Sequence, residues 1–315
     1  MSPGRGSKKS PGRRKAAPAA IAPAAADVDT LVTNPAKVFW PGEDITKGDL
    51  VRYYQDIAAV LLPHLRDRPL VMKPYPNGIA GRFYYRQTLP KTAPPWLPRW
   101  THTPRAGAQP NEMPLAQDVA ALTWLTNQAA IEMHPWLSRV DAPDQPDYIV
   151  LDLDILDPAH FPGLLEASLL VRDAVERRGL TAYPKTTGGD GLHIYVPIRR
   201  GPSFDDTRAW ALSLAETLRD AHPDVFSTES KLAGRERLIL VDYAQNALGK
   251  TTVAPYSVRP RPGATVAMPV AWREIEAGRI TPADFTIRTA PARIRDQGDL
   301  FAPVLEGSQP LQPMP

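Results

Sequence analysis

The chain has 315 residues, 43% of them hydrophobic, which suits one large domain or two small ones. Cysteine is absent, which excludes disulfides, zinc–thiolate centres and cysteine nucleophiles, and no stretch approaches the roughly eighteen apolar residues of a membrane-spanning helix. The net charge of +3 is unevenly placed: Arg5, Lys8, Lys9, Arg13, Arg14 and Lys15, with no acid among them, fall within residues 1–26 and leave the remainder at −3.

The first segment, residues 1–28, is rich in Ala, Pro, Ser and Gly beside its cations. It cannot bury enough apolar surface to fold, so a disordered basic tail is expected, attracted to polyanions through counterion release. Asn34, Lys37 and Lys47 then bracket a turn-rich stretch. Thr46 is placed to cap a helix over 47–62, with Val51, Tyr54, Ile57, Ala58 and Leu61 as its apolar stripe. Strands are expected in "PLVMKPYP" and around "RFYYRQ", a long loop over 90–114, and a helix over 116–129. From 147 the pattern becomes strand, helix, strand, strand, helix, strand. These are "DYIVLDLDIL", a helix ending near Gly179, "TAYPKT", "LHIYVPI", a helix capped by Asp205 or Asp206, and "RLILVDY". That order is a split βαβ unit on an antiparallel sheet, hence an α+β chain. Residues 302–315 read as a second disordered tail.

Chemistry concentrates in three places. "IVLDLDIL" places Asp152 and Asp154 on one face of an apolar strand, where unpaired carboxylates are costly and a divalent cation relieves the cost. Asp242, in "LILVDY", is a third acid in an apolar strand, and in a split βαβ sheet the first and last strands can be neighbours. The plain alternative is that these acids end their strands and face water. A phosphatase of the haloacid dehalogenase type also begins with DxD, but Leu156 does not suit it. The second place is "KTTGGDGLHIYVP". Its glycines let backbone approach a phosphate with N–H groups exposed, Thr186 and Thr187 add hydroxyls, and His193 opens the next strand. A simple hairpin turn is the competing reading. The third is the pair Lys37 and Lys47, whose charges suit a dianionic phosphate.

Together, "DLD", "TTGGDGLHIYVP" and "VDYAQN…GKTTVAPYSVRPRPGA", with "KVFWPGEDITKGDL", "LLPHLRDRPLVMKPYPNG" and "EMHPWLSRVD", resemble the polymerase domain of bacterial ligase D, a member of the archaeo-eukaryotic primase superfamily. The resemblance runs from about Leu31 to Trp272. It implies a primase-polymerase catalytic core with an RRM-like split βαβ sheet (146–301) behind an N-terminal α/β subdomain (29–145) that meets template and 5′-phosphate. It also implies roles. Asp152, Asp154 and Asp242 hold two ions, Mn²⁺ or Mg²⁺. Thr187, His193 and Arg259 meet the triphosphate, and Lys73 and Gln245 the incoming NTP or dNTP. Tyr84 and Tyr85 stack on template or base. Asn34, Lys37 and Lys47 grip a DNA 5′-phosphate, and His134 lies near the site. The chain departs from the family at Asp190, where lysine is usual; an acid there repels a triphosphate unless it points away or helps hold a cation.

The expected function is therefore template-directed nucleotidyl transfer, with ribonucleotides accepted, at gaps or broken ends in bacterial non-homologous end joining. A Ku-like protein would be a partner, with no membrane involved. No Lys-x-Asp-Gly adenylation motif occurs, so the ligase is expected to be a separate protein. The cytoplasm, at the nucleoid, is the expected compartment. Two other readings share these residues: a non-catalytic DNA end-binding module and a primase that starts chains de novo.

Overall fold

A computed structural model describes residues 25–103, 108–229 and 237–312. Of the disordered tail expected over 1–28, residues 25–28 are instead structured, because Ala25–Leu31 is a 3-10 helix with Val28 buried; the rest of that expectation, with its cations, lies outside the described residues.

In the N-terminal part β1 (Val38–Trp40) pairs with β2 (Ile45–Thr46), and Thr46 caps α1 (Lys47–Asp56). The Thr46 hydroxyl accepts the Asp49 N–H while the Asp49 carboxylate accepts the Thr46 N–H, a reciprocal capping box. The single helix expected over 47–62 is two helices: Ile57 leaves helical geometry (φ −98°, ψ 4°) and α2 (Ala58–Leu65) follows. Periodicity does not register the break because Tyr54, Ile57, Ala58 and Leu61 on either side of it enter one core. β3 (Leu70–Pro74) pairs antiparallel with β6 (Ala130–Pro135), and α3 (Val119–Asn127) packs against α1. No strand forms around "RFYYRQ"; only Arg86 bridges, to Met72. Phe83, Tyr84 and Tyr85 have strand-forming side chains but stay exposed, their backbone touching β3 only through the Tyr84 N–H on the Pro74 carbonyl and the Arg86 bridge. Conversely, the loop expected over 90–114 contains a hairpin, β4 (Arg99–His102) with β5 (Asn111–Pro114). Cross-strand neighbours Trp100 and Met113 anchor it against Trp136, an aromatic contact that proline-rich flanks conceal in sequence.

After a short hairpin, β7 (Ser138–Arg139) with β8 (Ala142–Pro146), the chain enters β9 (Tyr148–Asp154). Then come α4 (Phe161–Glu176), β10 (Tyr183–Thr186), β11 (Leu192–Pro197), α5 (Phe204–Ala221), β12 (Phe226–Ser227) and β13 (Ile239–Asp242). The sheet order is β10-β11-β9-β13-β12, antiparallel throughout except for the short parallel pair β12/β13. The cap of α5 is Ser203, not Asp205 or Asp206; its hydroxyl accepts the Asp206 N–H and the Asp206 carboxylate closes the box.

The alternation of β9 sets the site. Ile149, Leu151 and Leu153 join the main core together with residues of α4 and α5 such as Leu164 and Leu214. Tyr148, Val150, Asp152 and Asp154 fall on the opposite face. There Tyr148 and Val150 are covered by Tyr195, Phe301 and Val304, and only the carboxylate end is left for chemistry. That packing corrects the disordered tail expected over 302–315 for its described residues, 302–312. Ala302–Leu305 is a 3-10 turn, and Gln309 bonds to Thr181 and Pro197, so these residues strap the sheet. The main apolar core also runs without interruption from Phe39 and Leu50 into Leu151 and Ile194.

One buried ion pair ties the two parts. Arg68, after α2, is 1% exposed and directs Nη2 to both Asp147 oxygens at 2.6 Å, with Arg139 Nε on Oδ2 at 3.0 Å. Burial alone would raise the Asp147 pKa, but Arg68 and Arg139 overcome it and hold the carboxyl below its ordinary range.

Candidate active site

Register aligns one row of side chains across the sheet. Lys185 pairs with His193, His193 with Asp152, and Asp152 with Asp242, so the row crosses β10, β11, β9 and β13. Asp154 lies two residues along β9 on the same face. Asp152 is buried and its Oδ1 has no hydrogen-bond partner; His193 Nε2 lies 3.2 Å away, outside hydrogen-bond geometry. Burial pushes the Asp152 pKa up to about 6, against the pull of Lys185 and Arg259. Burial, with the charges of Lys185 and Arg259, holds His193 well below its ordinary range, so its imidazole is neutral at pH 7.

Asp242 ends β13 and is already engaged: Oδ1 accepts the Ala244 N–H and Oδ2 the Gln245 amide, at 2.9 and 3.0 Å. Asn246 pins the turn that follows by bonding both the N–H and the C=O of Val150. Among the described residues no three Asp, Glu or His side chains converge at metal-ligand spacing. The donor chemistry nevertheless fits a hard cation: a buried carboxylate oxygen without a partner, a second carboxylate on the same face, and a third directly across the ladder.

The glycine turn works differently from its expected exposed cradle. The Gly189 and Gly191 N–H groups are taken by the Thr187 hydroxyl, at 3.1 and 3.2 Å, leaving the Thr187 O–H to donate outward. Thr186 is fully buried and its hydroxyl accepts the Met268 N–H, so it belongs to the scaffold. The glycines are needed for close approach. Gly188 has φ +66°, and a Cβ there would lie 2.7 Å from Arg259 Cγ; a Cβ on Gly191 would lie 2.7 Å from the Leu153 carbonyl and 3.2 Å from Asp154 Oδ1. Gly191→Ala is therefore expected to displace the Asp154 strand, lowering stability by about 1–3 kcal/mol and turnover by about 10²-fold. Thermal melting and primer extension on one preparation check this, and wild-type values in both would mean the turn does not brace the carboxylates. Asp190 points to Arg261, with Oδ2 2.7 Å from Nη1, so its charge is held by a cation.

The remaining side chains gather around a residue that the sequence reading passed over. Glu132 on β6 is fully buried; Lys73 Nζ lies 2.8 Å from Oε2 and Arg259 Nε 2.7 Å from Oε1, with His134 Nε2 3.7 Å away. Arg259 also donates Nη1 to the Thr187 carbonyl at 2.6 Å. Lys185, fully buried with no hydrogen-bond partner on Nζ, was likewise missed. For Glu132, within "AIEMHP", the signal was a charged residue inside an apolar strand, the same that singled out the aspartates; Lys185, within "YPKT", carries no such signal. Tyr84 and Tyr85 are exposed but keep different company. Tyr85 sits with Phe83 around Lys73 Nζ, at 5.6 and 4.6 Å, whereas Tyr84 stacks with Arg86. Asn34, Lys37 and Lys47 do come together. The Lys37 N–H bonds the Asn34 carbonyl, and the Lys47 N–H bonds the Lys37 carbonyl. Lys47, buried with Nζ on the Thr33 carbonyl, has its pKa lowered by burial and by Lys37.

Residues 46–301 match the family described as the primase-polymerase domain of LigD. A multifunctional non-homologous end joining protein LigD of Mycolicibacterium smegmatis is 34% identical over 275 residues, covering 87% of this chain and 36% of the relative. A bifunctional LigD of Bacillus subtilis is 31% identical over 270 residues, 85% of this chain and 43% of that protein. The chain thus spans less than half the length of either relative. Among solved structures, the polymerase domain of Mycobacterium tuberculosis ligase D in complex with DNA superposes with a TM-score of 0.82 at 32% identity. That match covers 87% of this chain and 97% of the other.

Proposed function

Since the chain belongs to the LigD primase-polymerase family, we propose that it is a template-directed nucleotidyltransferase that fills gaps or extends broken ends in non-homologous end joining. The observation that carries this reading is the aligned row His193–Asp152–Asp242 beside the glycine turn, on the sheet of order β10-β11-β9-β13-β12. Asp152, Asp154 and Asp242 would hold two divalent cations, Mn²⁺ or Mg²⁺, which when bound supply charge for in-line phosphoryl transfer. The other residues bind and orient. Lys73 and Arg259 present cations to the triphosphate of an NTP or dNTP, the Thr187 O–H and neutral His193 donate hydrogen bonds, and Gln245 stands beside Asp242. The exposed rings of Phe83, Tyr84 and Tyr85 offer stacking faces to bases. Asn34, Lys37 and Lys47 grip a DNA 5′-phosphate, with Lys47 already desolvated for the contact. A Ku-like end binder and a ligase are the partners this chemistry calls for. Among the described residues no helix is long and apolar enough to cross a membrane.

The test is primer extension across a short gap with and without a downstream 5′-phosphate, in Mn²⁺, comparing ribo- with deoxyribonucleotides. Templated addition is expected to favour the phosphorylated gap. Lys37→Ala with Lys47→Ala is expected to remove that preference, costing about tenfold or more in gap affinity. Tight 5′-phosphate-dependent binding with no extension by the wild type would identify an end-binding module instead.

A further inference from the structure

We propose that Glu132 is a positioning residue that holds Lys73 and Arg259 as one cationic clamp for the nucleotide's polyphosphate; this rests on the polymerase reading above. Glu132 lies on β6 directly across the ladder from Lys73 on β3, and no part of it is exposed. A buried carboxylate is stable only when its oxygens are satisfied, and each of these has a cation: Lys73 Nζ on Oε2 and Arg259 Nε on Oε1, at 2.8 and 2.7 Å. The Tyr75 hydroxyl adds a longer contact to Oε2 at 3.4 Å. Glu132 is fully buried and, as a carboxylate, can only accept hydrogen bonds, so towards an anionic ligand it acts through its partners.

Those partners come from different parts of the chain. Lys73 belongs to the β3–β6 ribbon, between the Phe83 and Tyr85 rings. Arg259 reaches over from beyond β13, packs its Cγ against Gly188 and bonds the Thr187 carbonyl of the glycine turn. Without a shared carboxylate between them, the two cations would repel, and each long side chain would sample several rotamers. With it, they are ordered before any ligand arrives, and the two positive charges share a single negative one. A polyanion is the ligand such a clamp would take. Among the described residues Arg259 Nη2 donates no hydrogen bond, so a donor remains for a phosphate oxygen. Preorganisation of this kind lowers the cost of binding rather than the chemical barrier.

The experiment uses the full chain and three readouts: KM and kcat in gapped primer extension, equilibrium binding of a non-hydrolysable nucleoside triphosphate, and thermal melting. Glu132→Gln keeps the shape and removes the charge. Folded Glu132→Gln is expected to raise KM and the analogue's Kd by about tenfold while kcat changes less than about threefold. In an Arg259→Ala background the same substitution is expected to add much less, because its partner is gone. Glu132→Asp keeps the charge but withdraws it by one methylene; it is expected to melt near the wild type and still raise KM, and it decides the matter if Glu132→Gln does not fold. Unchanged KM and Kd in either folded variant would overturn the proposal and leave Glu132 as a neutraliser of the core. A wild type that binds the analogue but never extends a primer would sink the polymerase reading; Glu132-dependent analogue binding would then still uphold the clamp.

Discussion

Asp152→Ala is expected to abolish templated nucleotide addition, a loss of about 10³-fold or more, while the protein melts at or above the wild-type temperature. The two halves of that expectation have one cause. Asp152 is buried between Asp242 and His193 with an oxygen that no hydrogen bond satisfies, and burial raises its pKa to about 6. The cost of burying this carboxylate exceeds the pull of Lys185 and Arg259, so removing it relieves desolvation. On the proposed two-cation reading, what would be lost is a place for a cation worth several kcal/mol to the transition state, which is the stated factor. A structural aspartate would behave in the opposite way, losing stability and keeping turnover in the surviving folded fraction. Extension at wild-type rate by Asp152→Ala would remove this residue from the reaction.

Asp147→Asn is expected to destabilise the fold by about 3–5 kcal/mol without directly touching the chemistry. Arg68 is almost wholly buried, with its guanidinium 4.6 Å from the centre of the Tyr148 ring and its Nη2 on both Asp147 oxygens. Asparagine keeps the volume and leaves the cation uncompensated. The pH dependence follows in sign. The folded Asp147 carboxyl is held below its ordinary value, so its stabilisation is present above the unfolded pKa near 4 and fades as pH falls towards the folded one. Urea unfolding should therefore show wild type and Asp147→Asn far apart at pH 7 and converging in acid. A gap that stays constant down to about pH 2 would mean the loss comes from packing and not from the charge.

Much of the candidate site was legible because its signal is local. Charged residues in short apolar strands, glycines clustered before a histidine, and paired lysines around a turn are visible in a few consecutive letters. Asp152, Asp154 and Asp242 do fall on one face of neighbouring strands, and the backbones of Asn34, Lys37 and Lys47 are linked by hydrogen bonds, with the Lys37 amine on Asn77 and the Lys47 amine on Thr33. Where the reading slipped, the deciding contact was distant in sequence. The hairpin of Arg99–His102 with Asn111–Pro114 is anchored on Trp136, and residues of the described 302–312 stretch are held by Tyr195, Thr181 and Pro197. The supposedly exposed glycine amides are instead satisfied by Thr187, a bond that depends on the exact curl of the turn. Ile57 breaks a helix whose apolar stripe continues unbroken, because both pieces face one core.

By itself the sequence determined the alternation of β9, which puts leucines towards the helices and aspartates away from them, and it determined the capping of α1. These follow from period and cap chemistry, properties of neighbouring residues. Only the tertiary structure decided that Glu132 takes Lys73 and Arg259, that Asp190 is answered by Arg261, and that Tyr85 partners Phe83 rather than Tyr84. Each of these is a pairing of charges or rings set by which strands lie side by side, and strand order is a property of the whole chain's packing.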